Sequence, residues 1–526
     1  MATLPYFVIS PSTVVSLIGL LRGPDTTRPT PAEDWRQATV DVIIPALNEE
    51  DTIILCLDSV LRQTLRPRQI VLVDDGSHDR TLARAEAFCR FRGVKLVTIQ
   101  RRSPIGKTPT IKRQARELDC DVEFILDADT ILESEDYIER TVQELYQAVG
   151  IASACGTILP LRKRDRSAAE DKPSLREFRA RYRIGNAGRQ NGWLADLGSA
   201  LTNVYREVLY LFLQRFIYRG QMVFFGTTSN PVGCAVAYRR KYVKALFDHV
   251  GPTLGDDLTN SEDIFIGLAM LNEGYRNIQL TDVYARTVEP HVLRLPRQVY
   301  LWSSSFLQSC YYFDALLRSP LKVHKRWRLR GWGRPSPGSP ARILRPEPAA
   351  AFSGGPAQPM LAIAAGASGG TTRPLGPMLS ATVDSLMPER SRPDERRGMS
   401  GTPARGDRRV VQEPYRQGFG RERTRLYGRP VGWVLMGAAI EKVLFPTILL
   451  GMMLVGNWHG VTLTVLVETL ICVSALVAVT KGRRLEYLAK GVAVTPIRYA
   501  LIASELVTLS RFASDIWLTK NRKWRK

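Results

Sequence analysis

The sequence predicts an α/β protein with a mainly parallel sheet, followed by C-terminal transmembrane or interfacial helices. Residues 39–130 alternate short apolar runs with amphipathic stretches, the pattern of strand–helix–strand crossovers. Carboxylates close two of the apolar runs, at Asp74-Asp75 and at Asp127-Ala128-Asp129, where open parallel sheets bind their ligands. Two apolar runs near the C-terminus, split by Gly456-Asn457-Trp458-His459-Gly460, read as a membrane hairpin.

The elements follow in order. Residues 1–37 form an interfacial or packed segment. Tyr6–Leu21 is apolar but contains Pro11 and lacks a basic start and an Ala-x-Ala site, so a cleaved signal peptide is not expected. A catalytic domain is expected over 38–320. Its first strand is Val40–Ile44, and the next helix is Asp51–Arg62, with Ile53, Ile54, Leu57 and Val60 on one side. Strands at Gln69–Val73, Lys95–Gln100 and Val122–Leu126 alternate with helices at Thr81–Arg90 and Lys107–Leu118. Beyond them, Ser174–Arg189, Leu194–Tyr218 and Glu262–Asn272 read as helices and Ala235–Tyr238 as a strand.

Residues 333–428 are rich in Pro, Gly, Ser, Ala and Arg and lack apolar periodicity. Such a stretch buries too little apolar surface to offset its ordering entropy, so a disordered insert is expected. The hairpin occupies 431–480, with Val443–Val455 and Val461–Thr480 at its centre. Its outer flanks are basic and its central turn has no Lys or Arg, which places the flanks, and the catalytic domain with them, on the cytoplasmic side of the cell (inner) membrane. Residues 485–526 carry Arg498, Glu505 and Arg511 within an apolar stretch and end in a basic tail, the pattern of an amphipathic helix on the membrane surface.

The net charge of +22 calls for a polyanionic partner, and its concentration after residue 320 suits membrane lipids. No zinc-finger, RNP or helix-turn-helix spacing supports nucleic acid. Seven scattered cysteines without a Cys-x-x-Cys pair read as reduced thiols.

Four constellations carry chemistry. Asp74 and Asp75, before Gly76-Ser77, can accept hydrogen bonds from a base and a ribose, although a plain strand-to-helix turn explains them too. Asp127 and Asp129 project to one side of an extended chain and suit a hard divalent cation shared with a diphosphate. Glu262 and Asp263 open a helix, as capping residues or as a general base for an acceptor hydroxyl. Gln298 and Trp302 form a platform for a sugar or nucleotide, or ordinary packing.

Taken in order, Ile43-Ile44-Pro45-Ala46-Leu47-Asn48-Glu49-Glu50, Val73-Asp74-Asp75-Gly76-Ser77, Gly106-Lys107, Leu126-Asp127-Ala128-Asp129-Thr130 and Glu262-Asp263 with Gly274-Tyr275 resemble glycosyltransferase family 2 over roughly residues 38–310. The branch is similar to the membrane-bound synthases of cellulose, chitin and hyaluronan type. The resemblance implies a GT-A nucleotide-sugar-binding domain, an inverting transfer, a UDP- or GDP-sugar donor and Mg2+ or Mn2+. It assigns Pro45, Asn48, Glu49, Asp74, Asp75, Lys107 and Asp127 to donor binding, Asp129 with Asp127 to the metal, and Asp263 with its neighbour Glu262 to catalysis. Gln298 and Trp302 match an acceptor or donor platform. Phe225-Gly226-Thr227 and Gly233-Cys234 map loosely near the acceptor. Leu301 stands where processive synthases carry an Arg, which leaves processive and single transfer both open. The implied acceptor is a glycan or a lipid-linked group, and polysaccharide-export partners are implied as well. A single-sugar transferase acting on a lipid phosphate and an inactive membrane scaffold of a polysaccharide assembly complex are the competing readings.

Overall fold

The computed structural model describes residues 11–22, 34–148, 150–183, 193–254, 261–325, 420–480 and 482–518. Its centre is an eight-stranded mixed sheet. The strands are β1 (Val40–Ala46), β2 (Gln69–Asp74), β3 (Leu96–Gln100), β4 (Val122–Leu126), β5 (Thr130–Leu132), β6 (Ile151–Pro160), β7 (Ala235–Arg239) and β8 (Arg276–Thr287), in the order 3-2-1-4-7-6-8-5. The 3-2-1-4 half is parallel, with Ile43 beside Val71 and Ile125. Its connections are helices Ile53–Leu61, Thr81–Phe91 and Lys107–Glu117, which the sequence pattern places to within two residues.

The other half is where the structure departs from a parallel sheet. β7 is antiparallel to β4 and β6, and β5 is antiparallel to β8, while β6 and β8 pair in parallel. Both β6 and β8 are absent from the sequence expectation. β6 reads Ile-Ala-Ser-Ala-Cys-Gly-Thr-Ile-Leu-Pro and is buried on both faces, so it has no polar alternation to reveal it. The core packs on the two faces of the sheet, with Phe88, Phe124, Tyr137 and Phe178 among the largest buried side chains on one face and Phe265 and Met270 on the other.

Helix Trp193–Leu211 continues through a π-helical stretch, Phe212–Tyr218, into helix Arg219–Phe225. Helix Glu262–Asn272 falls on its expected bounds. Of the expected helix Ser174–Arg189, the structure has Pro173–Tyr182, and residues 184–189 lie outside the described ones.

Helix Arg421–Tyr427 stands at the end of the segment expected to be disordered, and the rest of that insert lies outside the described residues. Packing that the sequence pattern does not display accounts for the helix: Thr424 is buried, and the Gly420 amide donates to the Glu273 carbonyl at 2.8 Å. Among the described residues, three helical runs are long and apolar enough to cross a membrane: Gly432–Leu454, Trp458–Val479 and Arg484–Ala513. The third was expected to be interfacial. Two of its charges pair with neighbouring helices, Glu505 with Lys442 at 2.9 Å and Arg498 with Glu468 at 3.8 Å. The basic tail beyond Leu518 lies outside the described residues.

Candidate active site

β1 and β2 end side by side, and their loops hold each other. Asn48 adopts a left-handed conformation, φ 58°, and its side chain accepts from the His78 amide at 2.9 Å. The Asn48 amide donates to the Ser77 hydroxyl at 2.9 Å and the Glu49 amide to the Thr81 hydroxyl at 2.7 Å. Pro45, with no amide hydrogen, is the penultimate residue of β1, just before this turn. Asp74 accepts from the Ser77 amide at 3.0 Å, across Gly76 at φ 86°.

Asp75 has a different setting from the one expected. Its carboxylate is paired with Arg101 at 2.8 Å and accepts from the amides of Ile105 and Gly106, the latter at 2.7 Å. It therefore ties down the loop that delivers Lys107, and its carboxylate lone pairs are largely committed within the protein.

Lys107 opens helix Lys107–Glu117 and is the cation at the centre of the acidic cluster. Its ammonium lies 2.6 Å from Asp127 and 2.8 Å from Glu262, and donates to the Gly233 carbonyl at 2.9 Å. Asp127 and Asp129 leave the end of β4. The Asp127 amide donates to Cys234, and Asp129 accepts from the hydroxyls of Thr130 and Thr287, each at 3.2 Å. Burial raises both carboxyls above the usual range; the Lys107 charge opposes this at Asp127, and the Glu49 charge adds to it at Asp129.

Asp263, in the first turn of helix Glu262–Asn272, accepts from the Ser261 hydroxyl, the Ile264 amide at 2.8 Å and the Gly233 amide at 3.2 Å. Burial raises its pKa, the neighbouring Glu262 raises it further, and Ser261 and Lys107 oppose them. Gly233 is required here: a Cβ on it would stand 2.8 Å from that of Asp263.

Lys107, Asp127, Asp129, Glu262, Asp263, Gln298 and Trp302 all line one cavity of about 730 Å³. Gly233 and Cys234 line it as well, whereas Phe225, Gly226 and Thr227 do not. Pro45, Asn48, Glu49, Asp74 and Asp75 stand at the neighbouring β1–β2 edge and are not among its lining residues. The cavity continues to the apolar C-terminal helices, where Lys442, Phe445, Arg498 and Tyr499 line it.

The wall around Trp302 was missed in part. Arg206, fully buried in helix Trp193–Leu211, donates to Gln298, lies 3.3 Å from Glu289 and stacks 4.5 Å over the Trp302 ring. Neither Arg206 nor Glu289 sits in a recognisable motif. The available signal was an arginine on a helix face otherwise made of Thr202, Tyr205 and Leu209.

Among the described residues no cluster of three or more His, Cys, Asp and Glu can hold a metal by itself. Asp127 and Asp129 are hard oxygen donors suited to Mg2+ or Mn2+ once a ligand supplies further oxygens. Four acidic groups lie around one ammonium and Glu49 adds negative charge beside Asp127 and Asp129, so an added cation would relieve their repulsion.

A sheet with parallel 3-2-1-4 strands, extended by antiparallel pairings and ending in an Asp-x-Asp turn, defines a GT-A domain. Residues 41–247 match the model of glycosyl transferase family 2. An N-acetylglucosaminyltransferase of Bradyrhizobium diazoefficiens is 25% identical over 271 residues, which are 51% of this chain and 48% of that protein. A PGL/p-HBAD biosynthesis glycosyltransferase of Mycobacterium tuberculosis is 45% identical over 56 residues, 11% of this chain and 22% of that one. The chain thus spans less than half the length of either curated relative. Among solved structures, a mannosyltransferase of Pyrobaculum calidifontis in complex with GDP-Man and Mn2+ is 13% identical, covers 96% of both chains and has a TM-score of 0.43.

Proposed function

We propose that this chain is an inverting, metal-dependent glycosyltransferase at the cytoplasmic face of the cell membrane. It moves a sugar from a UDP- or GDP-type donor to a polysaccharide or lipid-linked acceptor. The observation that carries the reading is the shared cavity: Lys107, Asp127, Asp129, Glu262 and Asp263 line one end, and residues of the apolar C-terminal helices line the other. An acceptor held by a membrane would reach the acidic cluster through that second end.

An inverting transfer needs one displacement. The acceptor oxygen bonds to the anomeric carbon as the carbon–oxygen bond to the diphosphate breaks, and the diphosphate leaves with that electron pair. The acceptor proton passes to Asp263, whose raised pKa suits a proton acceptor and whose three donors fix its direction. Lys107 holds Asp127 and Glu262 in place against their mutual repulsion. Mg2+ or Mn2+ held by Asp127 and Asp129 would neutralise charge on the departing diphosphate. At the β1–β2 edge, Asn48, Glu49 and Asp74 shape the donor's nucleoside end, and Asp75 acts through the loop that carries Lys107.

Leu301, where processive synthases carry an Arg, favours a second reading, a single-sugar transferase acting on a lipid phosphate. Membranes bearing the protein, incubated with UDP- and GDP-sugars and Mn2+ or Mg2+, test both. Release of nucleoside diphosphate from one donor, lost in Asp129→Ala and Asp263→Asn, is expected, and product size separates polymer from single transfer. No release from any donor, with the protein folded and lipid extract supplied, would leave the scaffold as the better reading.

A further inference from the structure

A second cavity of about 300 Å³ adjoins the one that holds the acidic cluster. It lies among helix Pro11–Arg22, the π-helical stretch Phe212–Tyr218 and the apolar helices Gly432–Leu454 and Trp458–Val479. Leu213, Tyr218, Phe306, Glu441, Glu468 and Arg498 line both cavities and so form the passage between them. Beyond the passage the wall is mainly apolar, drawn from Phe212, Ile217, Val434, Leu435, Ala438 and Ile471. Two of its polar members satisfy each other, the Ser229 amide donating to Gln221 Oε1 at 2.7 Å. The displacement proposed above uses none of these residues.

At the passage, charge meets the apolar helices. Glu441, Lys442, Glu468, Arg498 and Glu505 line the active-site cavity from helices long and apolar enough to cross a membrane. Ionisable groups in such helices are costly, and they mark the path of a polar ligand. Lys442 is taken by Glu505 at 2.9 Å. Arg498 and Glu468 are not joined in that way. Their Nη2 and Oε2 stand 3.8 Å apart, too far for a hydrogen bond, and the side chains keep 32% and 19% of their surface exposed. A donor and an acceptor so placed fit one hydroxyl, which accepts from the guanidinium and donates to the carboxylate. A phosphate would find only the guanidinium, and it would meet Glu441, Glu468 and Glu505, which outnumber Lys442 and Arg498. The passage therefore selects an uncharged polar group, and the apolar chamber behind it suits a hydrocarbon chain.

We propose that the acceptor is an uncharged lipid with a sugar or polyol head. Its chain enters the second cavity, one head hydroxyl lies between Arg498 and Glu468, and another is presented to the acidic cluster. This rests on the glycosyltransferase reading above and narrows its acceptor; the presented hydroxyl supplies the oxygen of the displacement already described.

Full-length protein in lipid nanodiscs is given saturating donor and Mn2+ with three kinds of acceptor probe: a set of octyl hexosides, the matching methyl hexosides, and octyl phosphate. Nucleoside diphosphate release above the acceptor-free rate and product mass report transfer. For one octyl hexoside, kcat/KM is expected to exceed that of its methyl counterpart and of octyl phosphate at least tenfold. Partitioning into the lipid favours an octyl chain in every variant, so substitutions at Ala438 isolate the chamber. Ala438→Leu and Ala438→Phe raise KM for the octyl hexoside at least fivefold, in order of size, and leave the methyl hexoside within twofold. Glu468→Gln removes one repelling charge and lowers the preference for the octyl hexoside over octyl phosphate at least fivefold. The melting shift given by nucleoside diphosphate with Mn2+ identifies the folded variants, and Ala438→Leu alone decides if phenylalanine unfolds the protein. An octyl hexoside no better than the methyl one, octyl phosphate as the preferred acceptor, an unchanged KM in folded Ala438→Leu, or donor turnover that no probe stimulates each overturns the lipid acceptor and leaves the transferase standing. Wild-type protein that releases no nucleoside diphosphate from any donor refutes the transferase and the lipid acceptor together.

Discussion

Replacing Lys107 with Met removes the ammonium that two carboxylates share. At about 2.7 Å and an effective dielectric near 20, each contact is worth roughly 6 kcal/mol before desolvation. The ammonium's own desolvation cancels most of that, and truncating one partner of a buried pair costs about 3–5 kcal/mol net. Asp127 retains 31% side-chain exposure against 12% for Glu262, which places this site at the low end. A loss of about 3 kcal/mol lowers the melting temperature by about 6 °C in a domain of this size. If the ammonium also aligns the carboxylates in the transition state, the same figure lowers kcat roughly 100-fold. Thermal unfolding of purified protein in detergent and nucleoside diphosphate release read the two effects separately. A Lys107→Met protein that melts within 1 °C of wild type (well inside the ~6 °C expected) and turns over normally would refute the ammonium as the group that holds the acidic cluster together.

Three further outcomes are expected. Asp129→Ala abolishes the thermal stabilisation that Mn2+ with nucleoside diphosphate gives the wild type, measured by a ligand-induced melting shift, and lowers release about 100-fold or more. Asp263 must be ionised to accept a proton, and burial raises its pKa, so the acidic limb of the kcat profile lies above the usual aspartate value of about 4; a limb at or below that value would remove Asp263 as the base. Asp75→Ala strips Arg101 and the 105–106 amides of their acceptor, costs about 2–3 kcal/mol and raises KM for the donor through the displaced Lys107, read by unfolding and steady-state kinetics.

Sequence periodicity carries furthest where each element has one buried face. Helix Ile53–Leu61 and the strands β1 to β4 are legible because apolar spacing and turn residues agree. β6 is not legible, since burial on both faces erases alternation, whereas β8 does alternate over Asn277-Ile278-Gln279-Leu280-Thr281 and carries a strand signal that the sequence reading leaves unused. Asp127, Asp129, Glu262 and Asp263, which line one cavity, were legible as a set because each pair sits at the end of an element. Asp75 shows the limit: the Asp-Asp-Gly-Ser motif gives the residue, but only the fold reveals that Arg101 and two amides occupy its carboxylate. Arg206 and Glu289 belong to segments 83 residues apart in sequence, and no local pattern joins them.

The cavity wall is drawn from residues between Lys107 and Glu505, so its two ends leave the ribosome far apart in time. Roughly 240 residues separate Asp263 from Glu505, and at about 5–20 residues per second their synthesis takes roughly 12–50 s. During that interval the nascent chain carries its acidic cluster without the helices that complete the chamber. Truncated translation products ending before the last helix would therefore be incomplete vessels, with the acidic cluster in place and the wall from the C-terminal helices missing.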